Sequence, residues 1–187
     1  PCDVLLVDRH NYHLFQPLLY QVASAVLDPS EIAHPARAMI RGQANADFRL
    51  ANVESVDLDA RVLHTSTGNI AYDILVLATG SADDHFGNQR VAFQTHGLKD
   101  LDSALALRST LLRAFETASV VDDRDERQRR LSFVIIGGGP TGVEMAGALS
   151  ELIDHVLVHD FKHLDRDDVG VTLVEGADRL LPAFHPG

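Results

Sequence analysis

The sequence is poor in several residue types that whole classes of protein need. Only Cys2 is a cysteine and there is no tryptophan in the 187 residues, so neither a disulfide nor a dithiol redox centre can form within the chain. No apolar run reaches the roughly 18 residues of a membrane-spanning helix. Lys and Arg total 16 against 27 Asp and Glu, a formal net charge of −11, and so acidic a surface repels phosphate backbones. We therefore exclude nucleic-acid binding and expect a cytoplasmic protein.

Hydrophobic periodicity predicts a mixture of helices and strands. Apolar residues spaced by three and four predict helices at residues 12–25 and 98–116. The first is entered through Pro17, which the first turn of a helix tolerates. Strand patterns at residues 52–56, 61–64 and 72–77, with a tight turn at residues 67–69 between the last two, predict a small β-meander, and the apolar run at 72–77 predicts that its last strand is buried.

The most specific motif is a glycine-rich turn between a predicted strand and a predicted helix. It has the pattern G-x-G-x-x-G at Gly137, Gly139 and Gly142. The first glycine permits a tight turn, the second lets the backbone approach a pyrophosphate, and the third lets helix and strand pack closely. The N-terminus of the following helix offers N–H groups to phosphates. The motif therefore predicts a dinucleotide-binding unit.

The acid expected at the end of the next strand is Glu175. Its carboxylate can bind a ribose 2′-hydroxyl and repels a 2′-phosphate, so it favours NADH over NADPH. Two features weigh against this assignment. The spacing from Gly142 to Glu175 exceeds the usual distance of about 20 residues, and Arg179 lies near enough in sequence to soften the preference. A glycine-rich turn without a ligand is the remaining alternative.

A second unit is indicated at the beginning of the chain. An apolar run at residues 2–7 closes on Asp8, a pattern that normally follows a strand, a glycine-rich turn and a helix. We therefore expect an internal piece of a longer protein. The predicted fold is α/β, with two Rossmann-like dinucleotide-binding units, both incomplete, at residues 1–120 for FAD and 121–187 for NADH.

Four blocks in this order resemble the flavoproteins with two dinucleotide-binding domains and, among them, the type II NADH:quinone oxidoreductases. The blocks are residues 7–23, 72–81, 137–144 and 171–184. The resemblance implies FAD and NADH as cofactors. The residues that it assigns are, for FAD, Asp8, Val53, Ala78, Thr79 and Gly80; beside the flavin ring, Gln16 and Pro17; at the junction of flavin and nicotinamide, Glu144; and for NADH, Gly137, Gly139, Gly142 and Glu175.

The resemblance also implies an activity. NADH would pass a hydride to FAD, and a quinone would then take two electrons, as in the non-proton-pumping NADH dehydrogenases of respiratory chains. It further implies peripheral contact with the inner face of the cell membrane, through segments outside this chain, and it allows a homodimer. This chain alone would then be inactive.

Two other functions remain open. One is a reductase of the same fold with another acceptor, such as ferredoxin or sulfide, and the other is a nucleotide-binding module without turnover. A disulfide reductase is disfavoured because residues 11–25, which match the helix that carries its cysteine pair, contain no cysteine.

Three histidines recur at intervals of four residues. His155, His159 and His163 would lie along one face of a continuous helix, and such a row can bind Zn²⁺ or Ni²⁺. Without a nearby thiolate, a polar surface stripe is the favoured interpretation. The sequence therefore predicts no metal site.

Overall fold

The computed structural model describes residues 2–85 and 87–185. The chain divides into two units, one formed by Pro1–Phe15 with Ser30–Ala82 and the other by Gln16–Pro29 with Asp83–Gly187. This division follows the packing of the chain. It does not test the assignment of FAD to residues 1–120 and NADH to residues 121–187, which stays a prediction.

Short strands and helices alternate along the chain. The strands are β1 (Val4–Asp8), β2 (Tyr12–Leu14), β3 (Ala33–Pro35), β4 (Ala46–Leu50), β5 (Val53–Asp57), β6 (Val62–Thr65), β7 (Gly68–Ala71), β8 (Ser132–Ile136) and β9 (Gly170–Val174). The α-helices are α1 (Leu19–Ala23), α2 (Ala36–Ile40), α3 (Gln89–Gln94), α4 (Leu101–Ala118), α5 (Arg124–Arg130), α6 (Pro140–Leu152) and α7 (Val158–Asp160). None of the helices in the described ranges is both long and apolar enough to cross a membrane.

The first unit contains a parallel strand pair and an antiparallel meander. Strands β1 and β4 are parallel, with Asp8 opposite Leu50 at their carboxyl ends. Strands β5, β6 and β7 form a three-stranded antiparallel sheet. The predicted meander is present, but its third strand is Gly68–Ala71, which overlaps the predicted turn, and not residues 72–77. Phe48 on β4 is buried, and the guanidinium of Arg37 from α2 lies over its ring.

The structure differs from the predicted helix at residues 12–25. Strand β2 pairs there with β3 in an antiparallel ladder, and a 3-10 turn at Gln16–Leu18 precedes α1. The apolar spacing is real, since Leu19 and Val22 of α1 are buried. However, the backbone of residues 12–14 bonds to a strand that is distant in sequence, and such pairing overrides a local helical pattern.

The predicted buried strand at residues 72–77 is also absent from this structure. The segment is irregular, and Ile74 and Val76 are 84% and 79% exposed. A strand needs a neighbour for its N–H and C=O groups, and no described strand pairs with this segment.

The second unit is held together by an aromatic cluster and two parallel strands. Phe115 of α4 is fully buried and its ring lies 5.9 Å from that of Phe133 on β8 and 5.8 Å from that of Phe161. Strands β8 and β9 are parallel and in register, from Ser132 opposite Gly170 to Ile136 opposite Val174. The arrangement of strand, turn, helix and parallel strand agrees with the predicted Rossmann-like unit.

The three periodic histidines do not form a row. A π-helical turn at Ile153–Leu157 interrupts the helix, and α7 ends before His163. The extra residue of a π turn shifts the side chains that follow it around the helix axis, so the spacing of four no longer places them on one face. Within residues 2–85 and 87–185, no group of three or more His, Cys, Asp or Glu is arranged to hold a metal ion.

Apolar side chains stand exposed on both parallel strand pairs. Val4 and Leu6 of β1 are 51% and 47% exposed, and Val134 and Ile136 of β8 are 59% and 61% exposed. Parallel sheets ordinarily have both faces covered. The faces of these two strand pairs therefore remain available for further apolar contact.

We expect the 187-residue chain to self-associate as its concentration rises. Contact between the exposed faces would bury apolar surface, which is favourable in water. The weight-average mass from sedimentation equilibrium should then exceed the 20.4 kDa of a monomer. The double substitution Val134→Thr and Ile136→Thr should lower the association, whereas Val120→Thr, at a residue exposed after α4, should not. A monodisperse monomer that melts cooperatively at every concentration would contradict this expectation.

Candidate functional site

Two glycines of the predicted motif are required by the fold itself. Gly137 follows β8 with φ +110°, in the left-handed region that favours glycine, and its N–H donates to the carbonyl of Val174 at 2.8 Å. A Cβ on Gly142 would lie 1.9 Å from the carbonyl oxygen of Gly137. The first glycine makes the turn and the third brings α6 against it, as the motif predicts.

Gly139 is different, because neither its backbone nor its surroundings in the protein require glycine. Its φ is −74° and it caps α6, which begins with Pro140. No described atom lies within 4 Å of a Cβ built on Gly139, and within the described residues no side chain caps this end of the helix. An open backbone surface at a helix N-terminus fits the pyrophosphate of a dinucleotide.

Glu175 reaches this turn from the end of β9. One carboxylate oxygen accepts a hydrogen bond from the N–H of Gly138 at 2.6 Å, and the other accepts one from the N–H of Ala177 at 2.8 Å. The amides of Ala177 and Gly138 hold the pKa of the Glu175 carboxyl below its usual value. The side chain is therefore an anion at neutral pH, beside the glycine-rich turn.

Gly138 is a site residue that the spacing of the motif does not single out. A Cβ at this position would lie 2.7 Å from Cδ2 of Leu180 and 2.9 Å from Oε2 of Glu175. Its carbonyl accepts a hydrogen bond from the N–H of Leu181 at 2.7 Å. Glycine is needed here because two side chains that lie far along the sequence occupy the space of its Cβ.

In the first unit, the structure brings together two of the residues predicted to bind FAD. Asp8 lies at the carboxyl end of β1, and one of its carboxylate oxygens accepts a hydrogen bond from the N–H of His10 at 2.8 Å. Its backbone carbonyl accepts from the N–H of Ala51 at 2.9 Å, two residues before Val53 begins β5. Ligands of open α/β sheets bind outside the carboxyl ends of the strands, and Asp8 lies at such an end, while Val53 begins the strand that follows β4.

The remaining predicted FAD residues lie in the irregular segment after β7. Ala78, Thr79 and Gly80 are exposed, and Gly80 has φ +71°. No described hydrogen bond or strand pairing joins them to Asp8. Their contact with FAD stays a prediction.

The residues predicted to lie beside the flavin and nicotinamide belong to the second unit. The amide nitrogen of Gln16 donates to the carbonyl of Lys99 at 3.0 Å, and Pro17 is exposed in the following 3-10 turn. Glu144 is exposed in the second turn of α6. The hydrogen bond to Lys99 fixes the Gln16 side chain. The roles of Gln16, Pro17 and Glu144 stay predictions.

A buried carboxylate supports the strand that carries Glu175. Asp168 is 1% exposed and accepts from Nε of Arg124 at 3.1 Å and Nε of Arg127 at 3.3 Å. Burial acts to raise the pKa of Asp168, but the N–H of Asp165 and the two guanidinium groups outweigh it, so the pKa is lowered. The sequence alone does not reveal this ion pair, since nothing local marks Asp168 as a partner of α5.

The chain is similar in sequence to known oxidoreductases. The chain is 41% identical over 184 residues to the type II NADH:quinone oxidoreductase Ndh of Mycobacterium tuberculosis, covering 96% of this chain and 40% of that protein. It is 32% identical over 194 residues to the external alternative NADH-ubiquinone oxidoreductase of Yarrowia lipolytica mitochondria, covering 97% of this chain and 33% of that protein. The chain thus spans well under half the length of these relatives.

Solved structures with low sequence identity share the fold. The NDH2 of Plasmodium falciparum, in complex with NADH, superposes with a TM-score of 0.88 at 24% identity, over 98% of this chain and 39% of that one. A ferredoxin reductase from Rhodopseudomonas palustris superposes with a TM-score of 0.68 at 20% identity, over all of this chain and 39% of that one. The model of the pyridine nucleotide-disulphide oxidoreductase family matches residues 1–187, and the chain belongs to this family.

Proposed function

We propose that this chain carries nucleotide-binding residues of an NADH:quinone oxidoreductase that uses FAD. The observation that supports this most directly is the glycine-rich turn with Glu175 at its side. Gly139 leaves an open backbone surface at the start of α6, and the carboxylate lies against the same turn. The names of the two Mycobacterium tuberculosis relatives point to the same activity.

On the NADH side, four residues would each contribute to binding of the coenzyme. The turn at Gly137 and the close packing at Gly142 would hold the N-terminus of α6 against the pyrophosphate, and Gly139 would face it. The Glu175 carboxylate would accept a hydrogen bond from the ribose 2′-hydroxyl. Because the same carboxylate repels a 2′-phosphate, we propose NADH rather than NADPH as the physiological donor.

On the FAD side, the carboxyl end of the parallel pair β1–β4 would hold the adenosine. Asp8 would accept from the ribose hydroxyls, and the backbone of Val53 would meet the adenine. Residues 78–80, namely Ala78, Thr79 and Gly80, would pass close to the same cofactor.

Bound FAD would supply the redox chemistry, as the acceptor of a hydride from NADH and the donor of two electrons to a quinone. The balance is NADH, one proton and quinone giving NAD⁺ and quinol. Gln16 and Pro17 would lie beside the flavin ring and exclude water from it. Glu144, which is exposed on α6, would exchange the required proton with solvent.

The proposed quinone substrate also indicates where in the cell the protein would act. Respiratory quinones are apolar and dissolve in the membrane, so we propose a peripheral enzyme on the cytoplasmic, inner face of the cell membrane. The contact would be made by segments outside residues 1–187, and a homodimer would suit such an attachment. The relatives are longer than this chain, which leaves room for such segments.

Steady-state oxidation of NADH by the protein at its natural full length, with FAD and a water-soluble quinone, tests the proposal. Rapid oxidation that depends on the quinone is expected. Reduction of bound flavin by NADH without transfer to quinone would move the function to another acceptor, such as ferredoxin or sulfide. Binding of NADH without FAD would indicate a nucleotide-binding module.

The coenzyme preference should depend on the charge of Glu175. Glu175→Gln keeps an oxygen that can accept the N–H of Gly138 but removes the negative charge, so we expect the ratio of kcat/KM for NADH to that for NADPH to fall about tenfold, because like-charge repulsion is lost. Since the pKa of Glu175 is lowered, its carboxylate should keep its negative charge from neutral pH down to about the usual carboxyl range. The exposed Glu151 of α6 offers a control, as Glu151→Gln should leave the ratio unchanged.

A further inference from the structure

The segment that follows Glu175 folds back onto the glycine-rich turn. We refer to residues 177–184 as the clamp segment. The Leu180 side chain occupies the space beside Gly138, and the N–H of Leu181 donates to the Gly138 carbonyl at 2.7 Å. Glu175 binds the N–H of the same residue. The N–H of Gly138 is therefore held by Glu175 at the end of β9, and its carbonyl is held by the clamp segment.

Leu181 holds this position with an unfavourable backbone conformation. Its φ is +51°, in the left-handed region that leucine rarely adopts. Such a conformation persists only where the surroundings enforce it. Other contacts of the clamp segment must therefore hold Leu181 in this backbone conformation.

Arg179 provides that constraint. Its Nη2 donates to the carbonyl of Pro182 at 2.9 Å and to that of Phe184 at 3.0 Å. The N–H of Phe184 in turn donates to the carbonyl of Leu181 at 2.9 Å. A single guanidinium thus binds two backbone carbonyls on the C-terminal side of Leu181.

We propose that Arg179 is a positioning residue, which holds the glycine-rich turn in place for NADH and NADPH alike, and that it is not a ligand of the 2′-phosphate. The proposal rests on the proposed function, because it concerns the same nucleotide site. It reverses the expectation from sequence, where a basic residue soon after the ribose acid suggests contact with a phosphate.

The geometry explains why one arginine would not easily serve both roles. Nη2 commits both of its N–H groups to the carbonyls of Pro182 and Phe184, so a guanidinium that rotated to present this nitrogen to a 2′-phosphate would lose both of these hydrogen bonds. The strained Leu181 would then lose its support, and with it the hydrogen bond that fixes Gly138. Phosphate binding by Arg179 would therefore loosen the turn that receives the pyrophosphate.

The test compares Arg179→Ala and Arg179→Lys with wild type at natural full length. Lysine keeps the charge, but its Nζ lies one bond nearer the backbone than the Arg179 Nη2 that donates to both carbonyls. Dissociation constants for NADH and NADPH would be measured, together with hydrogen exchange of the Leu181 amide. We expect exchange to accelerate about tenfold in both variants and both dissociation constants to rise by a similar factor, while their ratio stays within about twofold of wild type. Arg113→Ala, at an exposed residue of α4, is the matched control and should change none of these quantities.

Two results would overturn the proposal. The first is a loss of NADPH affinity alone in Arg179→Ala that Arg179→Lys restores, because this is the behaviour of a phosphate ligand. The second is an unchanged exchange rate at Leu181. Failure of wild type to bind either coenzyme would refute the proposed function instead, and the Leu181 exchange rate would then still decide whether Arg179 holds the turn.

Discussion

Replacing Gly139 by alanine is expected to weaken NADH binding about 100-fold, since one added methyl group in a fitted contact costs a factor of this order. The free energy of unfolding should change by no more than about 1 kcal/mol, the usual effect at a helix N-cap. Glycine is not needed at this position for the backbone, with φ −74°, and no described atom would meet the new Cβ. Only a ligand that approaches the backbone would meet it.

Two other glycines provide controls for this experiment. Gly147 lies within α6, away from the start of the helix. As at Gly139, no described atom lies within 4 Å of the position that a Cβ would take. Gly147→Ala should leave NADH binding unchanged and stabilise the protein by about 1 kcal/mol, the difference in helix propensity. Gly142→Ala should fold poorly, because its Cβ would lie 1.9 Å from the carbonyl oxygen of Gly137.

Isothermal titration with NADH and denaturant unfolding of the same preparations would check these expectations. The decisive pattern is loss of affinity without loss of stability at Gly139 alone. If Gly139→Ala bound NADH as tightly as Gly147→Ala does, the pyrophosphate would not lie against this turn, and the motif would serve the fold only.

The sequence predicted those parts of the site whose geometry depends on residues close to one another along the chain. The turn at Gly137 and the packing at Gly142 depend on residues within one strand, turn and helix, so their spacing indicates their roles. Glu175 was placed by the rule that an acid ends the following strand, and the structure puts its carboxylate against the turn.

The features that the sequence did not reveal depend on contacts between distant residues. Gly138 must be glycine because of Leu180 and Glu175, and no local pattern encodes that contact. Residues 72–77 have the composition of a buried strand, but a strand forms only where a neighbour pairs with it. A π-helical turn likewise displaced the histidines from the positions that a regular helix would give them.

Asp168→Ala is expected to lower the free energy of unfolding by about 3 kcal/mol. Removing one partner of a buried ion pair costs this much because the remaining charge loses its counter-charge. Here Arg127, which is 18% exposed, would keep its guanidinium near the emptied site, while the more exposed Arg124 can turn to water. The neighbouring Asp167→Ala changes an exposed carboxylate of the same 3-10 turn and should cost less than about 0.5 kcal/mol.

The effect of Asp168 should depend on pH in a defined direction. Its pKa in the folded protein lies below the usual value, so the unfolded chain takes up a proton at a higher pH than the folded one. The stabilisation is therefore complete above about pH 5 and is lost as the pH falls through the folded pKa. Asp168→Asn cannot ionise, so the difference in unfolding free energy between wild type and this variant should shrink as the pH is lowered below about 4. A difference that stays constant from neutral pH to about pH 3 would show that packing, and not the ion pair with Arg124 and Arg127, is what Asp168 contributes to the start of β9.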